Sequence, residues 1–521
     1  MEEQKKRKTK KASTKRAWRI GLICTVLAAS AIIAFLLPLL TASQIEALPP
    51  SMALAQRAQA LDDIEITAVF SPEERTLRVR QCFDMTLPEG ESRSAVVFRA
   101  YPNAFQSEAT SPIATEELHE ISYPNGFSGG ALTITSVSVG RIGEELQAIR
   151  HRYLDDAKTV LQLSLPAPWE PLSTLTTVFE YEIYVPKAAS RFGVHSGIWA
   201  LGNAFLIPAP FENGAYRTDP YEPIGDPFLS DCANYTVTID VPEGYICAGS
   251  GWPLASSPSA GMTRFSFEAL AVRDFALCIS DRYQAVQAME NGTLITVYTH
   301  ADSTAPNAAK EALRYAKQAI AHFSKTYGTY PYPSLTIVEV DFPFDGAEYP
   351  ALVMLGSGQL AAGGDALEWT MAHETAHQWW YAVVGNDPIH QAWQDEALCE
   401  YSALSYMEAF YGRARREDLL FERMETAMRI TIPRGATPGS PLHYFSSIEE
   451  YYLLVYQRGG AMLATIDEAL FGKLDNFLRK YYDDYWCRRA TREDFEALLA
   501  AFSGEDWRPL MQDYLDTYVK N

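Results

Sequence analysis

The strongest constraint in the sequence is a spacing. His373 and His377 stand four residues apart in AHETAHQWWY, Ala372 to Tyr381, and eighteen residues separate His377 from Glu396. In an α-helix, positions i and i+4 share a face, so both imidazoles project together. Neutral imidazole is a good zinc ligand, and a catalytic zinc takes three protein ligands and keeps one position open. Glu396 lies in WQDEALCEY, on the next predicted helix. A helix, a turn and a second helix of this length can bring its carboxylate to the same ion. Glu374, beside the first histidine, then suits the base that takes a proton from a metal-activated water. The plainer reading is a Trp-rich amphipathic helix whose two histidines face core or solvent. The distant carboxylate weighs for the metal.

The flanking patterns set the fold class. From about residue 62 to 290, short alternating or apolar runs such as EITAVF, TLRVRQCFDMTL, LTTVFEYEIYVP and YTVTIDVPEGY are separated by Gly, Pro, Asn and Asp clusters. So many strands in series predict a sandwich or saddle-shaped sheet domain. From about 295 the period changes. PNAAKEALRYAKQAIAHFSKTYG reads as a helix ending at Gly328, SLTIVEVDF as a strand, and ALEWTMAHETAHQWWYAVVG and AWQDEALCEYSALSYMEAFYG as helices closed by Gly385 and Gly412. Helices follow to the end.

The first fifty residues differ from the rest. Residues 1–19 carry nine Lys/Arg against two Glu, and residues 20–40 run 21 residues without a charge. That length crosses a bilayer core of roughly 30 Å as a helix. The basic flank places the N-terminus in the cytoplasm and the rest outside, with the tail touching anionic lipid. A cleaved signal peptide is the rival, with TAS at 41–43 as its cleavage site, but its apolar stretch is normally about 7–15 residues. Pro49-Pro50 breaks any helix leaving the span. The formal net charge of −21 includes that basic tail, so the remainder is more acidic still and argues against nucleic-acid binding. Cys24 lies in the apolar run, and the six other cysteines show no metal-type spacing and allow 15 pairings, none of which the sequence selects.

His373, Glu374, His377 and Glu396, the last within Trp393-Gln394-Asp395-Glu396-Ala397, resemble the signature of the aminopeptidase N family of gluzincin zinc metallopeptidases. That family also includes leukotriene hydrolase. Gln394 and Ala397 depart from its usual Leu and Gly. In DGAEYPAL, Glu348 matches the family glutamate that binds the substrate α-amine, with Ala347 for Met and Tyr349 for Asn, as in bacterial relatives. A carboxylate there would pair with an ammonium; the plainer reading is a turn carboxylate before Pro350. Tyr456, in YQRG with Arg458 for Lys, matches the family tyrosine that steadies the oxyanion, a role open to a neutral phenol donor. The alternative is a packed aromatic beside Tyr451 and Tyr452.

The resemblance implies an α+β multidomain chain. Its expected parts are a basic cytoplasmic tail (1–19), a transmembrane anchor (20–40), a stalk (41–60), an all-β saddle or sandwich domain (61–290) and a thermolysin-like α+β catalytic domain (291–521). The large C-terminal helical domain of many members is expected to be absent. The function implied is a membrane-anchored, single-pass zinc aminopeptidase acting on peptides outside the cell, with one Zn²⁺ per chain. His373, His377 and Glu396 are the expected ligands, Glu374 the base, Tyr456 the oxyanion donor and Glu348 the amine site. A zinc endopeptidase of the same fold and an inactive membrane-anchored peptide-binding protein are the alternatives. Glu400 is expected to be a neighbour of the ligands or exposed, Asp395 to orient an imidazole or not, and Trp379 and Trp380 to be core. The other histidines read as surface or core. The oligomeric state is open.

Overall fold

A computed structural model describes residues 51–113, 115–300, 307–424 and 435–517. The expected tail, anchor and first part of the stalk lie outside the described residues. Among the described residues no helix is long and apolar enough to cross a membrane.

The stretch 51–60, expected as the end of a stalk, is part of the folded unit. Ser51 caps a helix, Met52–Ala58, by accepting from the Leu54 amide. Leu54 and Ala58 are buried, and the Arg57 guanidinium lies 4.2 Å from the Trp486 ring centroid near the far end of the chain.

Strict alternation builds the first domain. In Asp62–Ser71, the residues Ile64, Ile66, Ala68 and Phe70 point inward and their neighbours outward. The eight-stranded sheet runs Trp252–Ser259, Met262–Val272, Ala233–Pro242, Asp62–Ser71, Thr76–Thr86, Thr174–Tyr184, Ala131–Arg141, Gln147–Ala148. Asp62–Ser71 and Ala233–Pro242 pair in parallel, while the other neighbours are antiparallel. Two four-stranded sheets cover its inner face. Phe98 from one of them meets Phe83 and Phe179 of the large sheet, each at 4.9 Å between centroids, and Trp199 from the other meets Phe70 at 4.9 Å. These contacts are the core of a sandwich, as the strand pattern predicts.

The second unit is built on a five-stranded sheet in the order Tyr283–Glu290, Thr293–His300, Ser334–Val340, Leu352–Gly356, Gly346–Tyr349. Its three central strands are parallel and both edges antiparallel. The hairpin from Tyr283 pairs along its whole length with Thr293–His300, so this sheet begins ahead of residue 291, inside the range expected for the first domain. Alternation marks those residues as strand but does not say which sheet takes them. Helices Ala308–Thr326, Gly364–Ala376 and Trp393–Tyr411 pack on one another beside the sheet, and further helices follow.

A charged cluster joins the two units away from the cleft. Arg217 donates to Asp387 (2.8 Å) and Asp219 (2.9 Å), and His390 Nδ1 lies 3.0 Å from the same Asp387 oxygen. Burial raises the Asp387 carboxyl, but the hydrogen bonds from His390 and Arg217 outweigh it and hold the group down to about 2. His390 is shifted upward by its bond to Asp387. A depressed carboxyl stabilises the fold above its unfolded value and loses that contribution as pH falls through the folded one. A raised imidazole stabilises below its unfolded value and loses it as pH rises through the folded one. The cluster therefore contributes most between pH about 4 and 6.5. Asp387→Asn is expected to lower stability by about 2 kcal/mol at pH 5 and to have little effect near pH 2. Urea denaturation at both pH values checks this, and an equal loss at each would refute it.

Candidate metal centre and active-site cleft

Gly363 and Gly364, both with positive φ, turn the chain into the helix Gly364–Ala376. The helix was expected to continue to Gly385, but it ends at Ala376, with His377 as its cap. The reason is packing. Trp379 and Trp380 are fully buried, and their indole nitrogens donate to Gly328 O (2.8 Å) and Ser402 Oγ (2.9 Å). Satisfying both draws the chain out of helical geometry, and Tyr381 follows with φ 115. His377 still donates its amide to His373 O at 3.3 Å, so the shared face survives to the second histidine. The second helix, Trp393–Tyr411, closes at Gly412 as expected.

The two helices fold back on each other and bring the three expected ligands together. His373 Nε2 and His377 Nε2 are 3.2 Å apart, and Glu396 Oε2 lies 3.3 Å from each. All three are buried. Of the outer ring nitrogens, that of His377 is hydrogen-bonded from behind, and that of His373 faces a carboxylate without a hydrogen bond. His377 Nδ1 is 3.2 Å from Trp380 O, and His373 Nδ1 is 3.2 Å from Glu400 Oε1. With Nδ1 facing an acceptor on both rings, each Nε2 is left toward the common point, the arrangement seen around metal-ligating imidazoles. Glu400 is thus buried beside the ligands rather than exposed. It also accepts from Trp369 Nε1 at 3.2 Å. Asp395 Oδ1 accepts from the Glu396 amide at 2.9 Å, which fixes the start of the second helix rather than an imidazole.

The electrostatics ask for a cation. Burial opposes charge on His373, yet Glu396 and Glu400 lift its imidazole to about 9. Burial likewise opposes charge on Glu396, but the two imidazoles pull its carboxyl well below the ordinary range. Glu396 Oε2 has no hydrogen-bond partner although buried. An orphaned carboxylate oxygen facing two imidazole nitrogens fits a divalent metal of the zinc class.

Glu374 is buried beside the cluster. Burial pushes its carboxyl up to about 7, with His373 and His377 pulling the other way, and Oε2 is unpartnered. Its place depends on Gly346, where an added Cβ would sit 2.4 Å from Glu374 Oε1. Glu348, two residues on along the edge strand Gly346–Tyr349, comes within 4.8 Å of Glu374 and His377 by its ligand atoms. Tyr349, where the resembled family has Asn, anchors this strand to the first domain. Its hydroxyl donates to Asn203 at 3.0 Å and packs against Gly202, where a Cβ would clash.

Tyr456 stacks on the His373 ring at 5.5 Å between centroids, 13° from parallel, with its hydroxyl on the Glu396 side. It also touches Tyr451 and Tyr452, so the aromatic packing expected as the alternative is present as well. A turn of π-helix, Tyr452–Arg458, carries it. Gly459 then lets that helix press on the second one. A Cβ there would lie 2.6 Å from the Cβ of Ala397.

Gly346, Glu348, His373, Glu374, His377 and Tyr456 line a cavity of about 320 Å³ at the junction of the two units. Among the lining residues that carried no sequence signal is a charged pair. Asp226 and Arg191, both from the first domain, form an ion pair in the cavity wall. Asp226 is close enough to raise the Glu348 carboxyl further, after burial. Asp226, Glu348, Glu374 and Glu396 leave this end of the cleft strongly acidic.

The Peptidase family M1 domain matches residues 311–514. Aminopeptidase M1-A of Oryza sativa subsp. japonica is 22% identical over 299 residues, covering 54% of this chain and 34% of its own length. Glutamyl aminopeptidase of Homo sapiens is 22% identical over 312 residues, 55% of this chain and 31% of its own. This chain therefore spans about a third of the length of such relatives. Among solved structures, an M1 zinc metallopeptidase from Deinococcus radiodurans superposes with a TM-score of 0.62 at 15% identity, covering 87% of this chain and 93% of that one. A mutant of that protein bound to a Tyr-Ser-Ala substrate gives a TM-score of 0.61 at 16% identity, over 88% and 94%. At these identities the likeness is one of fold.

Proposed function

We propose, for a chain that belongs to peptidase family M1 through residues 311–514, that it removes N-terminal residues from peptides, with one zinc ion held by His373, His377 and Glu396. The observation that carries this reading is the convergence of two imidazole nitrogens and an unpartnered carboxylate oxygen, 3.2–3.3 Å apart, beside a second set of carboxylates. Zinc bound there would supply a Lewis acid that makes a water nucleophilic near pH 7 and polarises the scissile carbonyl.

The chain's own groups supply the rest. Glu374 accepts the proton of the attacking water and returns it to the departing amine nitrogen, acting as base and then as acid. Tyr456 turns its hydroxyl from Glu396 to the carbonyl oxygen as negative charge develops there. Glu348 accepts from the substrate α-ammonium, and Asp226, oriented by Arg191, adds a second carboxylate. An ammonium held at that distance from Glu374 admits one residue before the cut. A peptide with a free amine is expected to be shortened from its N-terminus, and its N-acetylated form left intact, by mass spectrometry. Internal cleavage of the acetylated form would support the endopeptidase instead. A chelator is expected to abolish turnover, and about one equivalent of zinc to restore it.

The same proposal places the chain at a membrane. Residues 20–40 have the length and lack of charge of a span, and the basic tail before them favours a cytoplasmic N-terminus. Protease added outside intact cells is expected to digest the catalytic part and spare the tail. Full protection of the catalytic part would reverse the topology.

A further inference from the structure

We propose that Cys232 and Cys487 form a disulfide that ties the first domain to the C-terminal helices. Cys232 directly precedes the strand Ala233–Pro242, and Cys487 lies between the helices Leu474–Asp484 and Arg492–Ser503. Although far apart in sequence, the two free cysteines sit where their segments meet: Arg489 pairs with Asp231, and Arg488 O and Ser230 O share one guanidinium.

The backbone on both sides holds them there. One guanidinium, that of Arg273, donates to Ser230 O at 2.9 Å and Arg488 O at 2.8 Å, so it bridges residues flanking the two cysteines. Arg489 Nε donates to Asp231 at 2.7 Å and closes the same junction from the other side. The Cys487 amide donates to Val383 O at 2.9 Å, and its thiol reaches Ala271 O at 3.6 Å. Cys487 has a φ of 56, in the left-handed region that side chains seldom adopt, and these ties keep it there. A disulfide needs both Cβ atoms held at short range, and this clamp fixes the backbone on both sides of the pair.

The remaining described cysteines do not compete. Cys247 pairs with Ile279 and Cys278 with Ala248 on neighbouring strands, so their side chains point to opposite faces of the sheet and into different clusters. Cys399 is buried under Trp380, and Cys82 lies on the large sheet.

Access and charge favour the reaction at this pair. Cys487 is half-buried and open to a small oxidant, and Cys232 is buried behind it; Cys487 and the Arg273 cation lower the Cys232 thiol, while Cys232 and burial raise that of Cys487. With a low-molecular-weight disulfide such as oxidised glutathione, Cys487 Sγ gives up its proton to solvent, attacks one sulfur and expels a glutathione thiolate. The Cys232 thiolate then attacks Cys487 Sγ and expels the second. Two protein thiols are oxidised, one glutathione disulfide is reduced to two thiols, and the two protons leave with them.

The test uses the full chain equilibrated with oxidised glutathione, blocked with N-ethylmaleimide under denaturing conditions, and digested. The expected result is a reducible cross-link between the peptides carrying Cys232 and Cys487, with the other cysteines alkylated. The linked protein is expected to melt about 3–10 °C higher than the reduced one. Cys232→Ser and Cys487→Ser should each remove both effects. Mapping the wild-type thiols keeps the proposal testable if either variant folds poorly. Free thiols at both positions, a mixed disulfide that stops at Cys487, or a link without gain in melting temperature overturns it.

Discussion

Replacing Glu374 by glutamine is expected to lower kcat about 10³–10⁴-fold, the scale of a lost general base, with little change in KM or zinc content. The substitution keeps shape and volume, so the space cleared by Gly346 still fits the side chain. It leaves His373, His377 and Glu396 untouched, so the metal should remain. What it removes is the ability to accept a proton at Oε2, a buried oxygen with no other partner. Substrate affinity rests on Glu348 and Asp226, which lie to one side of the base. A fall in kcat with unchanged metal would separate the proton-transfer role from a ligand role. Wild-type turnover by the variant would end the assignment.

The convergence of His373, His377 and Glu396 was legible in the sequence because helical geometry turns a four-residue spacing into a shared face. His373 and His377 meet even though their helix stops at Ala376, because one further turn-type bond carries the second histidine. The early end was not legible. Trp379 and Trp380 continue an apolar pattern, and only the tertiary slots at Gly328 and Ser402 break the helix. Glu348 was found through a motif, although Tyr349 looked like mere variation. The structure gives Tyr349 a task at Asn203, in the turn after the strand Ile198–Leu201, far away in sequence. Arg191 and Asp226 were missed for a simpler reason. They sit in irregular segments, where neither period nor spacing marks a residue, and they matter only through the docking of one domain on the other. The alternation of the first domain was read correctly as sandwich strands, whereas the hairpin from Tyr283 joined the second sheet. Alternation records which face is buried and says nothing about the partner strand.

That docking predicts the second large effect. Arg273→Met is expected to cost about 3–5 kcal/mol of stability, the range for breaking a buried charged group's partnerships. Arg273 is only 2% exposed, and its guanidinium serves backbone carbonyls from three parts of the chain. It donates to Ser230 O (2.9 Å), Tyr381 O (2.7 Å) and Arg488 O (2.8 Å). Gly385 makes the room, since a Cβ there would lie 2.3 Å from the guanidinium carbon. Methionine matches the length of the stem but offers no donors, so these buried carbonyls would lose their partner and water would have to reach them. Tyr381 belongs to the turn that begins at His377, and Trp380 in that turn backs His377 Nδ1 at 3.2 Å. Weaker docking should therefore loosen one ligand and reduce zinc affinity along with stability. Urea denaturation of the reduced protein and zinc titration measure the two losses. A change below about 1 kcal/mol would mean the carbonyls find other donors. An unchanged zinc affinity beside a large stability loss would mean that the turn holds His377 without help from the first domain.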